Sequence, residues 1–274
     1  MPGPALSAII DPTRGAKITS LKDPRGVEWL TQAAATAKPG TPFIDAEMAG
    51  WDECAPTIVS CRVNGCDLPD HGDLWDSSFA VDKDTSTVSA IGHSLGYEFR
   101  RRVTATRTGL YLEYQVTALD RPVPFLYAAH PQFLAQPGTH VDVPRLRHVV
   151  DVLDPTLPRH EWSAPLATID TVAPGGYRKL YADPDKPTYS ARLIHPDGAS
   201  LEMNWSMACP YLGIWFDNSA YSREPVIAIE PATGYFDALD TAVAHGRAPQ
   251  LQRGKPLSWW IKLTITTANA SRGV

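Results

Sequence analysis

Prolines and glycines interrupt this chain along its whole length. The 274 residues include 25 prolines and 19 glycines, and no single linker holds them. Turn residues at this frequency favour many short strands over long helices. They predict an all-β fold, and we expect one domain over 1–274, built as a large antiparallel β-sandwich.

The segments between these turns have the character of strands. In YLEYQVTAL the residues at 112, 114, 116 and 118 alternate with those at 111, 113, 115 and 117, and this period of two predicts one core face and one solvent face. The runs on either side of the Pro-Asp-Gly turn predict a hairpin over Arg192–Trp205. Short helices are expected only at Thr31–Ala37 and Phe236–Gly246.

Charge and motifs exclude several classes of protein. The net charge is −5 and no basic stripe is present, so we expect no nucleic-acid partner. The chain contains no GxGxxG, phosphate-loop, GxSxG or HExxH motif, which disfavours nucleotide chemistry, serine-elbow hydrolases and zincins. The start resembles no signal peptide, and no apolar run reaches the ~20 residues of a membrane helix. The expected location is therefore the cytoplasm.

The four cysteines do not form a metal-binding pattern. Cys54, Cys61, Cys66 and Cys209 include no CxxC pair, and the even spacing of Cys61, Cys66 and His71 lacks the usual zinc ligand pairs. We expect free, mostly buried thiols and no metal or other cofactor.

The first of three polar segments runs from Gly50 to Trp75. Its two ends, GWDECAPTI and LPDHGDLW, place five acidic or imidazole side chains between two tryptophans: Asp52, Glu53, Asp70, His71 and Asp73. Indoles interleaved with carboxylates suit a sugar, because its C–H faces stack on rings while its hydroxyls take hydrogen bonds. The alternative interpretation is an acidic surface loop with tryptophans in the core.

The second segment is PFLYAAHPQF, in which His130 ends an apolar run just before a proline. A proline pushes the preceding residue into extended geometry and stops a strand, so His130 is expected to project from a strand end. The alternative is a hydrogen-bonded histidine of the core or of a turn.

The third segment is VIAIEPATGYFDAL, in which Glu230 follows four apolar residues, with Pro231 expected to end the strand. Burying a carboxylate costs free energy unless it is paired, and desolvation would raise its pKa, as a general base requires. The alternative is a glutamate that reaches solvent at the strand end.

Together the three segments resemble the galactose mutarotase (aldose 1-epimerase) superfamily. PDHGDLW, AAHPQF and IEPATGYFDAL are similar to its bacterial aldose-epimerase-like branch, and AIIDPTRGAKITSLKDPRGVEWL is similar to the opening hairpins of that family. The resemblance implies a β-sandwich of the supersandwich type that binds a sugar in a cleft and interconverts its α and β anomers without a cofactor.

The resemblance also implies roles for individual residues. His130 would be the general acid that protonates the ring oxygen, Glu230 the general base that deprotonates the anomeric hydroxyl, and His71 a substrate-binding residue. Trp215, in YLGIWFDN, would be a stacking wall, although a core position is an equal alternative. Trp75 and Asp52 are further expected substrate-binding residues.

One departure from the family pattern concerns recognition of the sugar hydroxyls. The better-studied branch has a Gly-Arg-x-x-Asn-Arg stretch before the HG motif, where this chain has GWDECAPTI. The additional cleft aspartate of the family is also not fixed, since Asp52, Asp170 and Asp217 are all candidates.

Three functions are open from the sequence. The first is an aldose 1-epimerase, monomeric or homodimeric, acting on a neutral sugar. The second is a non-catalytic carbohydrate-binding or regulatory module of the same fold. The third is another sugar-directed reaction, such as a lyase or an epimerase acting on a modified sugar. The presence of both His130 and Glu230 favours an enzyme, and the missing arginine favours an unusual substrate.

Overall fold

Most of the regular structure in this protein is β-strand. The computed structural model describes residues 5–33, 37–38, 40–46, 48–84 and 86–267. Within these residues the strands form two large antiparallel sheets and two small two-stranded ones. The two α-helices there are short: α1 is Ala164–Ala167 and α2 is Leu239–Ala244. Neither is long and apolar enough to cross a membrane.

The larger sheet has ten strands, numbered here along the chain. From edge to edge they are β1 (Ser7–Asp11), β2 (Lys17–Lys22), β3 (Trp51–Cys54), β11 (Ala128–Pro131), β20 (Val226–Ala232), β19 (Tyr211–Asp217), β16 (Tyr177–Ala182), β14 (His148–Asp151) and β15 (Arg159–Glu161), with β12 (Phe133–Leu134) also paired to β20.

The second large sheet has eight strands. In spatial order they are β13 (His140–Asp142), β17 (Ser190–Ile194), β18 (Ser200–Trp205), β22 (Leu257–Thr266), β9 (Gly109–Ala118), β8 (Tyr97–Ala105), β7 (Thr87–Gly92) and β6 (Ala80–Val81). The two-stranded sheets pair β4 (Cys61–Val63) with β5 (Cys66–Leu68) and β10 (Val123–Pro124) with β21 (Gln250–Leu251).

The main hydrophobic core lies between the two large sheets, which gives the β-sandwich predicted from the sequence. Side chains at 112, 114, 116 and 118 of β9 are all buried, so the alternation read from the sequence is confirmed. Large side chains from both sheets meet there, among them Trp51, Phe99 and Trp259. Fully burying one such side chain contributes about 1.5–3 kcal/mol.

The outer face of the ten-stranded sheet carries two smaller apolar clusters. One joins α2 and the β4–β5 hairpin to the sheet, and it includes Ile58 and Leu239. The other contains Phe43, Met48 and Trp75. The functional residues predicted from the sequence lie near these clusters, on the face turned away from the main core.

Three local predictions, one hairpin and two helices, can be compared with the structure. The hairpin over Arg192–Trp205 is confirmed as β17 and β18, with Gly198 at φ 85° in the turn. The helix expected at Phe236–Gly246 is present only over 239–244. Of the helix expected at Thr31–Ala37, residues 34–36 lie outside the described residues, and 31–33 and 37 form no helix.

The expectation that Pro231 ends its strand is wrong. Strand β20 continues through Pro231 to Ala232. Proline lacks an N–H, and it is tolerated inside a sheet where that N–H would have no ladder partner. Strand β20 pairs with β11 at Ala128–Ala232 and with β12 from Phe133–Ile227, so on this side Pro231 lies in a gap of the ladder, whereas on the other side it is paired with Leu212 of β19.

Candidate active site

The gap between β11 and β20 brings His130 and Glu230 together. The register that joins Ala128 to Ala232 and Phe133 to Ile227, carried through the gap, places these two residues opposite each other. Residues opposite each other on antiparallel strands project on the same face. His130 Nε2 lies 3.7 Å from Glu230 Oε1, and both side chains are buried.

His130 is held in one protonation state by its neighbours. Gln132 Nε2 lies 2.7 Å from His130 Nδ1. The amide nitrogen can only donate, so Nδ1 accepts and the proton of the neutral ring is on Nε2, the atom that faces Glu230. Burial, followed by the nearby His71, Lys179 and Lys17, holds the pKa of His130 well below its ordinary value. The imidazole is therefore neutral, with Nε2–H as its donor.

Glu230 is paired through only one of its two oxygens. Its Oε2 accepts a very short charged hydrogen bond from Lys179 Nζ. Its Oε1 is buried and has no hydrogen-bond partner among the described residues. Burial raises the pKa of Glu230 above its ordinary value, although Lys179 opposes the rise. A carboxylate oxygen left without a partner is costly to bury and is available to accept a proton.

Lys179 reaches Glu230 because the residue between them has no side chain. Gly213 on β19 pairs with Glu230 on one side and Tyr181 on the other. A Cβ at Gly213 would lie 3.1 Å from Glu230 Oε2 and 3.4 Å from Lys179 Cε. Burial lowers the pKa of Lys179, but Asp237 and Glu230 outweigh that effect and the net pKa is raised, so the lysine is charged.

A cavity of about 250 Å³ opens over this pair. Its polar lining is Asp70, His71, His130, Lys179 and Asp237, and the remaining lining is apolar or aromatic. Glu230 does not border the cavity itself, whereas its two neighbours His130 and Lys179 do. The volume is just below the usual range for ligand pockets, which suits a single sugar ring.

A larger depression of about 910 Å³ lies elsewhere and contains none of the predicted site residues. Its charged lining includes the Arg159–Asp183 ion pair, 2.7 Å long, with the arginine largely solvated. Size alone does not identify a site, and we assign the chemistry to the smaller cavity because the unpartnered carboxylate lies beside it.

His71 lies in the cavity wall under an aromatic cover. Its ring stacks on Phe43 with centroids 3.6 Å apart, and its Nδ1 lies 3.0 Å from Asp70 Oδ2. The same Phe43 ring stands edge-on to His130 at 5.9 Å. The structure therefore brings His71 and His130 together, with Phe43 over both.

The two predicted tryptophans occupy different positions. Trp215 lines the cavity, next to Tyr177 and Tyr221, so it is placed where a stacking wall would be. Trp75 does not line the cavity, and it packs edge-on against Phe43 at 5.0 Å. Trp75 thus lies beside the site, in the apolar cluster that contains Phe43.

The candidate aspartates are also separated. Asp52 is paired in register with His130 and projects on the same face of the sheet, but it does not line the cavity and forms an ion pair with Lys17 at 2.9 Å. Neither of its oxygens accepts a well-aligned hydrogen bond from the described residues, so the contact with Lys17 is electrostatic. Asp170 accepts from the Gly138 N–H away from the cavity, and Asp217 binds backbone N–H groups of the 220–222 loop. None of the three borders the cavity.

Two aspartates line the cavity: Asp70, which belongs to the first polar segment, and Asp237, which was not among the candidates predicted from the sequence. Tyr181 donates a hydrogen bond of 2.8 Å to Asp237 Oδ1, and Lys179 Nζ lies 3.7 Å from the same oxygen. Lys179 and Gln132 were also missed. Asp237 follows Glu230 within the same polar segment, which was a usable signal, whereas Lys179 gives no local signal in YRKLYA.

The acidic-surface interpretation of the first segment is wrong for Asp52 and Glu53, which are fully buried, whereas Asp70 is half exposed and Trp51 lies in the core. The solvent-exposed alternative for Glu230 is also wrong, because Glu230 has no exposed surface. The four cysteines are free thiols; Cys54 and Cys209 are buried, and Cys61 and Cys66 are half-buried. Within the described ranges no group of three or more histidine, cysteine or acidic side chains could hold a metal ion.

Comparison with known proteins gives structural matches only. No protein-family model matches the sequence, and no curated protein matches it. A galactose mutarotase-like protein from Lactobacillus casei ATCC 334 is similar in structure, with a TM-score of 0.74, 21% identity, and coverage of 97% of this chain and 99% of that one. A protein provisionally named an aldose 1-epimerase, from Escherichia coli K12, has a TM-score of 0.72 and 15% identity over 96% of each chain.

A third neighbour is the galactose mutarotase related enzyme from Lactobacillus acidophilus. Its TM-score is 0.69 at 16% identity, covering 100% of this chain and 99% of that one. These matches extend over nearly the whole of each chain, so the fold is the galactose mutarotase-like β-sandwich that the sequence resemblance implied. At such low identity they establish the fold and leave the activity to be argued from the site.

Proposed function

We propose that this protein is an aldose 1-epimerase that interconverts the two anomers of a free aldose. The observation that carries the proposal is a buried donor and a buried free acceptor side by side, His130 Nε2–H and Glu230 Oε1, 3.7 Å apart. The anomeric hydroxyl oxygen and the ring oxygen of a sugar are bonded to the same carbon, C1. Groups that serve these two oxygens have to be neighbours, as these two are.

In the proposed reaction Glu230 Oε1 removes the proton from the anomeric hydroxyl. The electron pair of that O–H bond forms the C1 carbonyl, and the bond from C1 to the ring oxygen breaks. Lys179 holds the other carboxylate oxygen, Oε2, so that Oε1 is the one presented to the sugar.

His130 acts on the ring oxygen in the same step. Its neutral ring donates a hydrogen bond from Nε2 to the oxygen as negative charge develops there. The proton that Oε1 has taken then passes to the ring oxygen, which completes ring opening and restores the carboxylate. Rotation about C1–C2 and the reverse steps give the other anomer.

This assignment refines the role that the family resemblance implied for His130. A general acid in the full sense would be an imidazolium, and burial opposes that charge. The carboxylate beside it does little to favour an imidazolium, because Lys179 already compensates its charge. His130 is therefore proposed as a hydrogen-bond donor to the ring oxygen, with Glu230 carrying the proton.

The test is anomer exchange by NMR saturation transfer on a panel of neutral aldoses. Wild-type protein is expected to accelerate exchange above the buffer rate, and His130→Asn to lower that acceleration with its fold intact by circular dichroism. Glu113→Gln, on the exposed side of β9, is the control and should keep the wild-type rate. A folded wild-type protein that binds sugars but never exceeds the buffer rate would favour a carbohydrate-binding module instead.

A further inference from the structure

The rim of the cavity is apolar as well as exposed. Four of its lining side chains are Ile44, Val59, Leu153 and Tyr177, with exposed fractions of 54%, 45%, 47% and 45%. They come from four separate segments of the chain. Single exposed hydrophobic residues are ordinary, but four around one cavity indicate a surface that an apolar group covers.

The polar lining, in contrast, includes the groups beside the carboxylate. His130 and Lys179 contact Glu230, and Asp237 contacts Lys179. No arginine lines the cavity within the described part of the chain. An unsubstituted hexose has a hydroxyl on nearly every carbon, and a hydroxyl buried against apolar side chains without a partner weakens binding.

The proposed chemistry fixes which part of a sugar faces this rim. The anomeric hydroxyl and the ring oxygen must face Glu230 and His130. In a six-membered ring C4 is across from C1, and C3 is across from the ring oxygen. C3 and C4 therefore face away from the carboxylate, toward the apolar rim.

We propose that the substrate is an aldose with a free anomeric hydroxyl and a small apolar group, such as a short O-alkyl or O-acyl substituent, on C3 or C4. This inference rests on the proposed function, because the ring-opening chemistry sets the orientation of the sugar. The cavity of about 250 Å³ limits the ligand to one ring with a short substituent.

The experiment compares the affinities of D-glucose and its 2-O-methyl, 3-O-methyl and 4-O-methyl ethers by NMR titration. The three ethers have the same composition and differ only in position. The 3-O-methyl or 4-O-methyl ether is expected to bind about fourfold more tightly than D-glucose, the gain for burying one methyl-sized group. The 2-O-methyl ether, substituted next to C1, is expected to show no gain.

Two variants locate the effect at the rim. Leu153→Ser should reduce the gain of the favoured ether, whereas Val81→Ser, on β6 and exposed to the same 47%, should keep it. Equal affinities for all four sugars, tighter binding of the 2-O-methyl ether, or no binding of any of them would overturn the inference.

Anomer exchange measured on the same samples tests the proposed function separately. Exchange of D-glucose without a gain for the 3-O-methyl or 4-O-methyl ether would leave an epimerase and overturn the substrate class. The expected gain in affinity without any exchange would keep the ligand class and remove the activity.

Discussion

The ten-stranded sheet contains two fully buried glutamates, one directed to each of its faces. Glu53 on β3 faces the main core, where Arg101 donates at 2.5 Å, Tyr127 at 2.6 Å and Tyr114 at 3.2 Å. Both of its oxygens have partners. Glu230 on β20 faces outward, and within the part of the chain that the structure describes only its Oε2 has a hydrogen-bond partner.

The difference shows that burial and ion pairing do not by themselves identify a catalytic carboxylate. Burial raises the pKa of both glutamates, and a buried cation opposes the rise in both. What distinguishes them is the remaining acceptor capacity. Each oxygen of Glu53 accepts a hydrogen bond, and Glu53 joins the two sheets, whereas Glu230 keeps one oxygen without a partner among the described residues, beside a cavity.

The largest effect is expected when the free oxygen is changed. Glu230→Gln keeps the size of the side chain but cannot take a proton, so kcat for anomer exchange should fall by about 10²–10⁴-fold with little change in KM. Exchange NMR on the true substrate measures this. A folded variant with a near-wild-type rate would remove Glu230 from the mechanism.

The same substitution at Glu53 should lower the stability of the protein and leave the rate of anomer exchange unchanged. Glu53→Gln leaves the buried Arg101 without its counter-charge, and breaking a buried ion pair costs about 3–5 kcal/mol. Urea unfolding followed by tryptophan fluorescence should show this loss, while the protein that remains folded exchanges anomers at the normal rate. Unchanged stability would mean that the two sheets do not depend on this pair.

The next largest effect is expected in the pH dependence of the activity. Lys179 lowers the pKa of Glu230, so Lys179→Met should raise that pKa further. Since Glu230 acts as the ionised base, activity falls as pH drops through its pKa, and the acid limb of the rate profile should move to higher pH in the variant. Lys262→Met, on the other large sheet, is the control. An acid limb that stays in place, or that moves to lower pH, would contradict the pairing.

The smallest effect is expected at Gly213. Gly213→Ala puts a methyl group 3.1 Å from Glu230 Oε2, which should push Lys179 away and move the acid limb in the same direction as Lys179→Met, but less far. Overpacking should also lower the stability by about 1 kcal/mol. A pH profile identical to that of the wild type would show that the pair tolerates the methyl group.

The strands could be predicted from the sequence because the alternation of side chains along a strand and the residue types of turns are local features. The same is true of His130 and Glu230, each next to a proline and at the end of an apolar run. Lys179 and Gly213 could not be connected to them, since only the pairing of β16, β19 and β20 brings Lys179 to Glu230, 51 positions further along the chain. The prediction that Pro231 ends its strand was wrong because the effect of a proline depends on the partner strand, and the local sequence does not show that strand.

Phe43 has a consequence for the rate of binding. Its ring stacks on one face of His71 and stands edge-on to His130, so a sugar that takes this face of His71 must first displace the Phe43 ring. The apparent dissociation constant is then the intrinsic one divided by the fraction of open molecules. Association should level off at the opening rate as sugar concentration rises, and Phe43→Ala should abolish that plateau in stopped-flow fluorescence. The ring would then set how fast the protein responds to its substrate, independently of how fast the bound sugar reacts.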